Sequence, residues 1–223
     1  NIVDVYLLER SYDNLYRLWL QDGGMMPAPS TADQLRISYS GKLNPLKSLS
    51  DQIVYHPVKY KILFGSNADE ELQATFKVVK NTKTNVTDAV IKTRVIAAIN
   101  EFFALDNWDF GDTFYFTELA AFIHNQLAPD LLTAVIVPNQ SGQTFGSLFQ
   151  LNSAADEIFI SGATVDDVSI ISALGANQLA ASGTVVTSTS TATTNTSTGS
   201  AVSGSTTTSS GSSSSSGSSG SGY

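Results

Sequence analysis

Aromatic side chains are concentrated in one stretch of the chain, Glu101–Leu127. The chain has 11 Phe, 8 Tyr and 2 Trp, and eight of these residues lie in this stretch: Phe102, Phe103, Trp108, Phe110, Phe114, Tyr115, Phe116 and Phe122. Because aromatic rings bury more apolar area than other side chains, such a dense group belongs at the centre of a core or of an interface. The rest of the chain is therefore expected to pack around it.

Two helices are predicted to flank a turn inside this stretch. Apolar residues recur at alternating spacings of four and three across Val86–Leu105, with Asn85 or Thr84 available as N-cap. The sequence DNWDFGD at 106–112 then predicts a turn, because Asp, Asn and Gly favour turn conformations. Thr117 is the expected N-cap of the second helix. The result is two helices joined by an aromatic elbow.

Shorter elements are expected on the N-terminal side. Val3–Leu8 is typical of a buried strand, and Leu15–Leu20 has the apolar spacing of a helix. The sequence STADQL predicts a second helix start, in which Ser30 or Thr31 is the N-cap and Gln34 completes a capping box.

Strand-like runs follow on both sides of the two central helices. Ile53–Phe64 and Glu71–Val79 are separated by a turn and are expected to form a hairpin or a neighbouring pair. Leu131–Pro138 is a continuous apolar, β-branched run of the kind that is buried on both faces. Because helices and strands do not alternate strictly, the sequence predicts an α+β fold with a mostly antiparallel sheet, two central helices and short N-terminal helices.

The composition changes abruptly near Ser182. Later residues are almost entirely Ser, Thr, Gly and Ala, and no charged residue follows Asp167. Such a segment buries too little apolar surface to offset its chain entropy, so a low-complexity flexible tail is predicted for residues 183–223. Residues 1–50 are interpreted as an N-terminal strand with short helices, and residues 51–182 as a C-terminal α+β domain.

Charge and composition argue against several classes of function. Twelve Lys and Arg against twenty Asp and Glu give a formal net charge of −8, and no Lys or Arg follows Arg94. A basic stripe for phosphates is therefore not expected, and neither is nucleic-acid binding. The absence of cysteine excludes disulfides and thiolate metal sites. No apolar run approaches the roughly 20 residues of a membrane helix, so membrane insertion is not expected.

Several short motifs resemble catalytic or metal-binding sequences, but the residues around them do not support such a role. The DFG tripeptide at 109–111 lacks the Gly-rich loop, strand lysine and His-Arg-Asp loop of a kinase, so a turn is preferred. A calcium loop in the same turn would place Trp108 and Phe110 at ligand positions that they cannot fill. His56 and His124 have no partner at metal-ligand spacing. No catalytic, cofactor-binding or metal-ligating residue is predicted, and an enzyme is not expected.

Five long stretches carry a resemblance to a known family. They are VDVYLLE (3–9), WLQDGGMMPAPSTADQL (19–35), KSLSDQIVYHPVKYKILFGSNADEEL (47–72), INEFFALDNWDFGDTFYFTELAAFI (99–123) and VIVPNQSGQTFGSLFQLNSAADEIFISGATVDDV (135–168). They resemble the C-terminal part of the baseplate wedge protein of T-even-like contractile-tailed phages, a member of the baseplate J-like family. The resemblance covers residues 1–182 in family order.

The resemblance implies a structural virion protein of the tail baseplate, assembled in the host cytoplasm. In the family, copies pair within each wedge, bundle with other wedge proteins, and join neighbouring wedges into a ring around the hub that persists during contraction. The implied partners are therefore further copies of the chain and other wedge proteins. Family members are longer on the N-terminal side, and the chain begins with Asn1, so a segment of a longer chain or a processed product is expected. The Ser/Thr/Gly tail departs from the family pattern.

The elbow supplies the candidates for contacts in such an assembly: Trp108, Phe110, Phe114, Tyr115 and Phe116. Packing inside one subunit and contact between subunits are both compatible with these side chains. The alternative function is a virion or cell-surface adhesion module whose Ser/Thr-rich tail is an extended stalk.

Overall fold

The computed structural model describes residues 2–45, 52–140 and 150–172, all of which belong to one compact unit. The predicted flexible tail at 183–223 lies outside the described residues. The division of the preceding chain at residue 50 stays a prediction.

Four helices are found in the described residues: α1 (Arg10–Asp22), α2 (Ala32–Leu43), α3 (Asp88–Phe102) and α4 (Phe116–Leu127). The combination of helices and strands confirms an α+β fold. α2 begins with the predicted capping box: the Gln34 N–H donates to Thr31 Oγ1 at 3.3 Å, and the Thr31 N–H donates to Gln34 Oε1 at 2.8 Å. Thr117, predicted as a cap, lies inside α4. None of these helices has the length and apolar character that a membrane crossing requires.

Helix α3 is shorter than the predicted span of Val86–Leu105. It covers Asp88–Phe102, and Thr87 occupies the N-cap position. The predicted caps Asn85 and Thr84 therefore lie before the N-cap position. The Thr84 hydroxyl donates to Asp130 Oδ1 at 2.5 Å and accepts the Val86 N–H at 3.3 Å, so it holds the segment that leads into α3.

The described strands are β1 (Ile2–Leu7), β2 (Gln52–Pro57), β3 (Lys59–Leu63), β4 (Ala74–Lys80), β5 (Thr113–Tyr115), β6 (Leu131–Pro138), β7 (Gln150–Asn152), β8 (Glu157–Ser161) and β9 (Val168–Ile171). Three of their five pairings are parallel, namely β1 with β2, β3 with β8 and β4 with β9. Only β4 with β6 and β5 with β7 are antiparallel among the described strands. The prediction of a mostly antiparallel sheet is therefore wrong. Parallel neighbours need long connections, and the four helices lie in those connections.

The strand-like run 53–64 does not form the predicted hairpin with the run that follows it. It is divided at Val58, whose N–H donates to Leu7 O at 2.9 Å. The next N–H, of Lys59, donates to Asp156 O at 3.0 Å. The chain thus pairs with β1 along one of its edges up to Val58 and with β8 along its opposite edge from Lys59 onwards. Successive N–H groups of an extended chain point to opposite edges, which allows this change of partner.

Two clusters of buried side chains join these elements. The larger cluster packs α3 and α4 against the β6–β4–β9 sheet, and its fully buried residues include Phe64, Phe76, Phe114, Ile91, Ile99, Leu119 and Ile123. The smaller cluster packs α1 against β3 and β8 through Tyr12, Tyr16, Val58, Tyr60, Ile158 and Ile160. Trp108 packs against both clusters. The elbow therefore lies where the two cores meet.

A small ion-pair network crosses the parallel ladder between β3 and β8. The ammonium groups of Lys59 and Lys61 lie 3.3 and 3.6 Å from the Glu157 carboxylate, which also accepts from the Ala154 N–H at 3.0 Å. Burial acts to raise the pKa of Glu157, but the Ala154 N–H and the two ammonium groups outweigh it, and the pKa lies below its ordinary value of 4.5. Folding therefore favours the ionised carboxylate.

We expect Glu157 to make stability depend on pH in mild acid. Because its pKa is lowered by folding, its contribution is present above the unfolded-state value of 4.5 and is lost as the pH falls through the folded-state value. Urea denaturation on both sides of that interval measures the effect. Glu157→Gln keeps an acceptor oxygen for Ala154 and should lose less unfolding free energy over the same interval. An equal loss in both proteins would contradict the assignment.

Candidate interaction surface at the aromatic elbow

The elbow is the segment 104–115, which connects α3 to α4 and includes β5. Its turn is anchored to the sheet, because the Gly111 N–H donates to Glu157 O at 3.2 Å. The turn is closed internally by the Asp109 N–H, which donates to Asp112 Oδ2 at 2.8 Å. The prediction of a turn at the DFG tripeptide is confirmed. The elbow's side chains are thus presented on a backbone that the core holds in place.

Phe114 and Phe116, two of the five predicted contact residues, are buried in the larger core. Their side chains are 0% and 5% exposed. The two rings lie 4.8 Å apart, and each meets the Phe64 ring edge-on, at 6.0 and 6.1 Å between centroids. For these two residues, packing within the subunit is the correct interpretation.

Trp108 is half-buried and connects the two cores. Its ring stacks on Phe103 at 5.5 Å and meets Phe159 edge-on at 5.4 Å. Its indole N–H donates to Phe102 O at 2.8 Å. Since its ring packs on two neighbouring rings and its polar atom is engaged, Trp108 acts mainly as a structural residue, although it remains partly accessible.

Phe110 and Tyr115 lie on the surface, in contrast to the other three candidates. Both are 38% exposed, as is Leu105 at the start of the elbow. Tyr115 shares one face of β5 with Thr113, because alternate strand residues point the same way. The structure therefore separates the five candidates into three core residues and two surface residues.

A groove, which we call the elbow groove, lies between the end of α3, the elbow and α4. Its volume is about 440 Å³, and its lining residues are Phe102, Asn107, Trp108, Asp112, Thr113, Glu118 and Phe122. Three aromatic rings form its apolar part, and two carboxylates lie beside them. The sequence contained one signal for it: Glu118 and Phe122 are four residues apart on α4 and so share a face.

A second cleft, of about 460 Å³, lies between α1, α3 and the end of β8. Arg17 is the charged residue of its described lining, and its Nε is 2.6 Å from Asp13 Oδ1. The Tyr60 hydroxyl also donates to Asp13, and burial together with that carboxylate raises the pKa of Tyr60. The guanidinium is therefore already neutralised by a neighbour inside the fold. This tyrosine and ion-pair cluster was not predicted from the sequence, although Tyr12 and Tyr16 stand at helical spacing.

No family model and no curated protein matches the chain. The resemblance to baseplate wedge proteins therefore stays an expectation.

The two histidines are engaged in different ways. The ring of His56 on β2 stacks on Tyr6 at 4.7 Å, and its Nε2 lies 2.8 Å from Asp4 Oδ1. His124 on α4 has a buried Nδ1 without a hydrogen-bond partner among the described residues. Within residues 2–45, 52–140 and 150–172, three or more His, Cys, Asp or Glu do not converge in a group that could hold a metal ion.

Proposed function

We propose that this chain is a structural, non-enzymatic subunit of a contractile-tail baseplate wedge, which joins copies of itself and other wedge proteins into the ring around the hub. Two lines support the proposal. One is the resemblance of five long stretches, in family order. The other is the placement of Phe110 and Tyr115, each 38% exposed, on an elbow that is anchored to the core.

The structural support for the proposal comes from the exposed elbow rings of Phe110 and Tyr115. Aromatic side chains are enriched at protein interfaces because they offer a large contact area and lose little conformational entropy on binding. Phe110 lies in a turn whose backbone is tied to β8, and Tyr115 follows that turn, so the rings need little further ordering. A subunit that must stay joined to its neighbours while a ring widens requires such preorganised contacts.

A second apolar surface lies on the N-terminal helices. Leu15 and Leu18 of α1 are 56% and 53% exposed and lie three residues apart, on one helix face. Met25 and Met26, in the connection to α2, are 94% and 58% exposed. A subunit with two neighbours needs more than one contact surface, and this second surface suits that requirement.

The proposal predicts that the chain is a component of assembled tails. Peptides from residues 1–172 should be recovered by mass spectrometry from purified particles and from isolated baseplates. Particles that lack the chain would overturn the proposal. Recovery outside the baseplate, together with glycan binding by a monomeric chain, would support the adhesion module instead.

A variant tests the role of the elbow in assembly. Phe110→Ser with Tyr115→Ser should reduce incorporation into baseplates by about tenfold or more, because it removes two aromatic contacts. Val90→Ser is the matched control, since Val90 is 42% exposed on α3 and lies outside the elbow. The thermal midpoints of both variants must stay near that of the original chain. Equal incorporation of both variants would exclude the elbow as a contact.

A further inference from the structure

We infer that the elbow groove is the docking site for a Lys or Arg side chain from the N-terminal half of a second copy of this chain. The inference rests on the proposed function, in which copies of the chain associate. It goes further by specifying which surface is used, the chemistry that it binds, and the type of contact that results.

The aromatic part of the groove suits a cation. Phe102 lies 5.6 Å from the Trp108 ring and 5.5 Å from the Phe122 ring, and both pairs meet edge-on. All three rings are half-buried, so part of each remains accessible from the groove. Aromatic rings attract ammonium and guanidinium groups, and the indole of Trp does so most strongly.

The carboxylates of the groove supply the opposite charge. Glu118 is exposed, and its side chain forms no hydrogen bond or ion pair with another described residue. Asp112 accepts the Asp109 N–H through Oδ2, and its Oδ1 has no partner in the described part of the chain. No Lys or Arg is among the described residues that line the groove. Two carboxylates beside three rings therefore leave a position for a side chain that is apolar along its stem and positive at its end.

The distribution of charge along the chain identifies the second copy as the occupant. All twelve Lys and Arg lie at or before Arg94, whereas ten of the twenty Asp and Glu follow it. The groove lies in the acidic half, and the basic half carries exposed cations such as Arg10 and Lys83, which form no ion pair with a described residue. One copy thus carries both the groove and exposed cations for the groove of another copy.

A contact of this kind joins different surfaces of the two copies. It forms once in a heterologous pair, or twice in an isologous pair in which each groove receives a cation of the other copy. Heterologous contacts generate rings when the rotation between copies closes and open chains when it does not.

Sedimentation equilibrium of the purified full chain tests the inference. The original chain should associate reversibly, and more weakly as NaCl is raised from about 0.05 to about 0.5 M, because salt screens exposed charges. Asp112→Asn with Glu118→Gln should raise the dissociation constant about tenfold or more. Asp109→Asn, an acid of the same elbow that does not line the groove, should change it by less than about twofold.

A mixing experiment tests whether the groove receives a cation of a second copy. A labelled copy of the Asp112→Asn, Glu118→Gln variant still carries its cations, so it should bind the original chain more tightly than it binds another variant copy. A mixture as weak as the variant alone would overturn the inference. So would a monomeric original chain at about 0.3 mM, a concentration at which weak contacts are populated, or equal effects of the groove variant and Asp109→Asn.

The outcomes for the groove and for the proposed function are separable. If the chain is found in baseplates but the groove variant associates normally, the proposed function stands and this inference fails. If the groove mediates association but purified particles lack the chain, the inference stands and the proposed function fails.

Discussion

Gly65→Ala is expected to destabilise the fold by at least about 4 kcal/mol, the range of exceptional single substitutions. A Cβ at Gly65 would lie 1.9 Å from Gly162 O and 2.5 Å from Gly162 C. The Gly162 backbone cannot easily move away, because its N–H donates to Leu63 O at 2.9 Å at the end of the β3–β8 ladder. Gly65 also has a φ of +70°, which disfavours any side chain. Chemical denaturation measures the loss.

Gly23→Ala is the matched control for this prediction. Gly23 has a φ of +74°, and a Cβ there would meet nothing within 4 Å. Its ψ is −160°, so it isolates the backbone cost of a conformation that favours glycine, about 1–3 kcal/mol. The difference between the two variants reports the steric clash. Similar losses in both would show that the backbones of Gly65 and Gly162 do not approach so closely.

The close contact between Gly65 and Gly162 helps to hold the adjacent Phe64 side chain in the core. Phe64, next to Gly65, has a φ of +66°, which costs an aromatic residue about 1–3 kcal/mol. Its N–H donates to Leu72 O at 3.0 Å, and its side chain is 0% exposed. Its ring packs against Phe76 at 4.9 Å between centroids. Burial of the ring in the larger core offsets the backbone strain.

Trp108→Ala is expected to destabilise the fold by about 3–5 kcal/mol, as removal of a large aromatic from a core does. The indole packs against both buried clusters, so its loss leaves a cavity between them. It also leaves Phe102 O without its donor at 2.8 Å. Urea denaturation followed by circular dichroism measures the change.

Phe110→Ala serves as the control, because Phe110 belongs to the same turn but is 38% exposed. Its loss should stay below about 1.5 kcal/mol, since less apolar area is removed from the core. If Trp108→Ala instead leaves stability unchanged and abolishes self-association, Trp108 is an interface residue and its core assignment is wrong.

The elbow shows what sequence patterns can predict, namely the helices, and what they cannot, namely which aromatic side chains are buried. Spacings of three and four residues predicted α3 and α4, because one face of each helix packs against the sheet. The same patterns could not separate Phe114 from Phe110. Phe114 lies on strand β5 and points into the core, whereas Phe110 lies in a turn and remains accessible. That distinction depends on contacts with residues far along the chain.

Sequence by itself determined the local elements: the capping box of Thr31 and Gln34, the turn at the DFG tripeptide and the two central helices all follow from interactions within a few residues. Only the tertiary structure decided which strands are neighbours, that Trp108 joins two cores, and that a groove forms beside Glu118. The physical reason is the distance along the sequence between the residues that interact. Caps, turns and helical faces depend on nearby residues, whereas parallel pairing and groove shape depend on chain segments that meet only when the whole unit has folded.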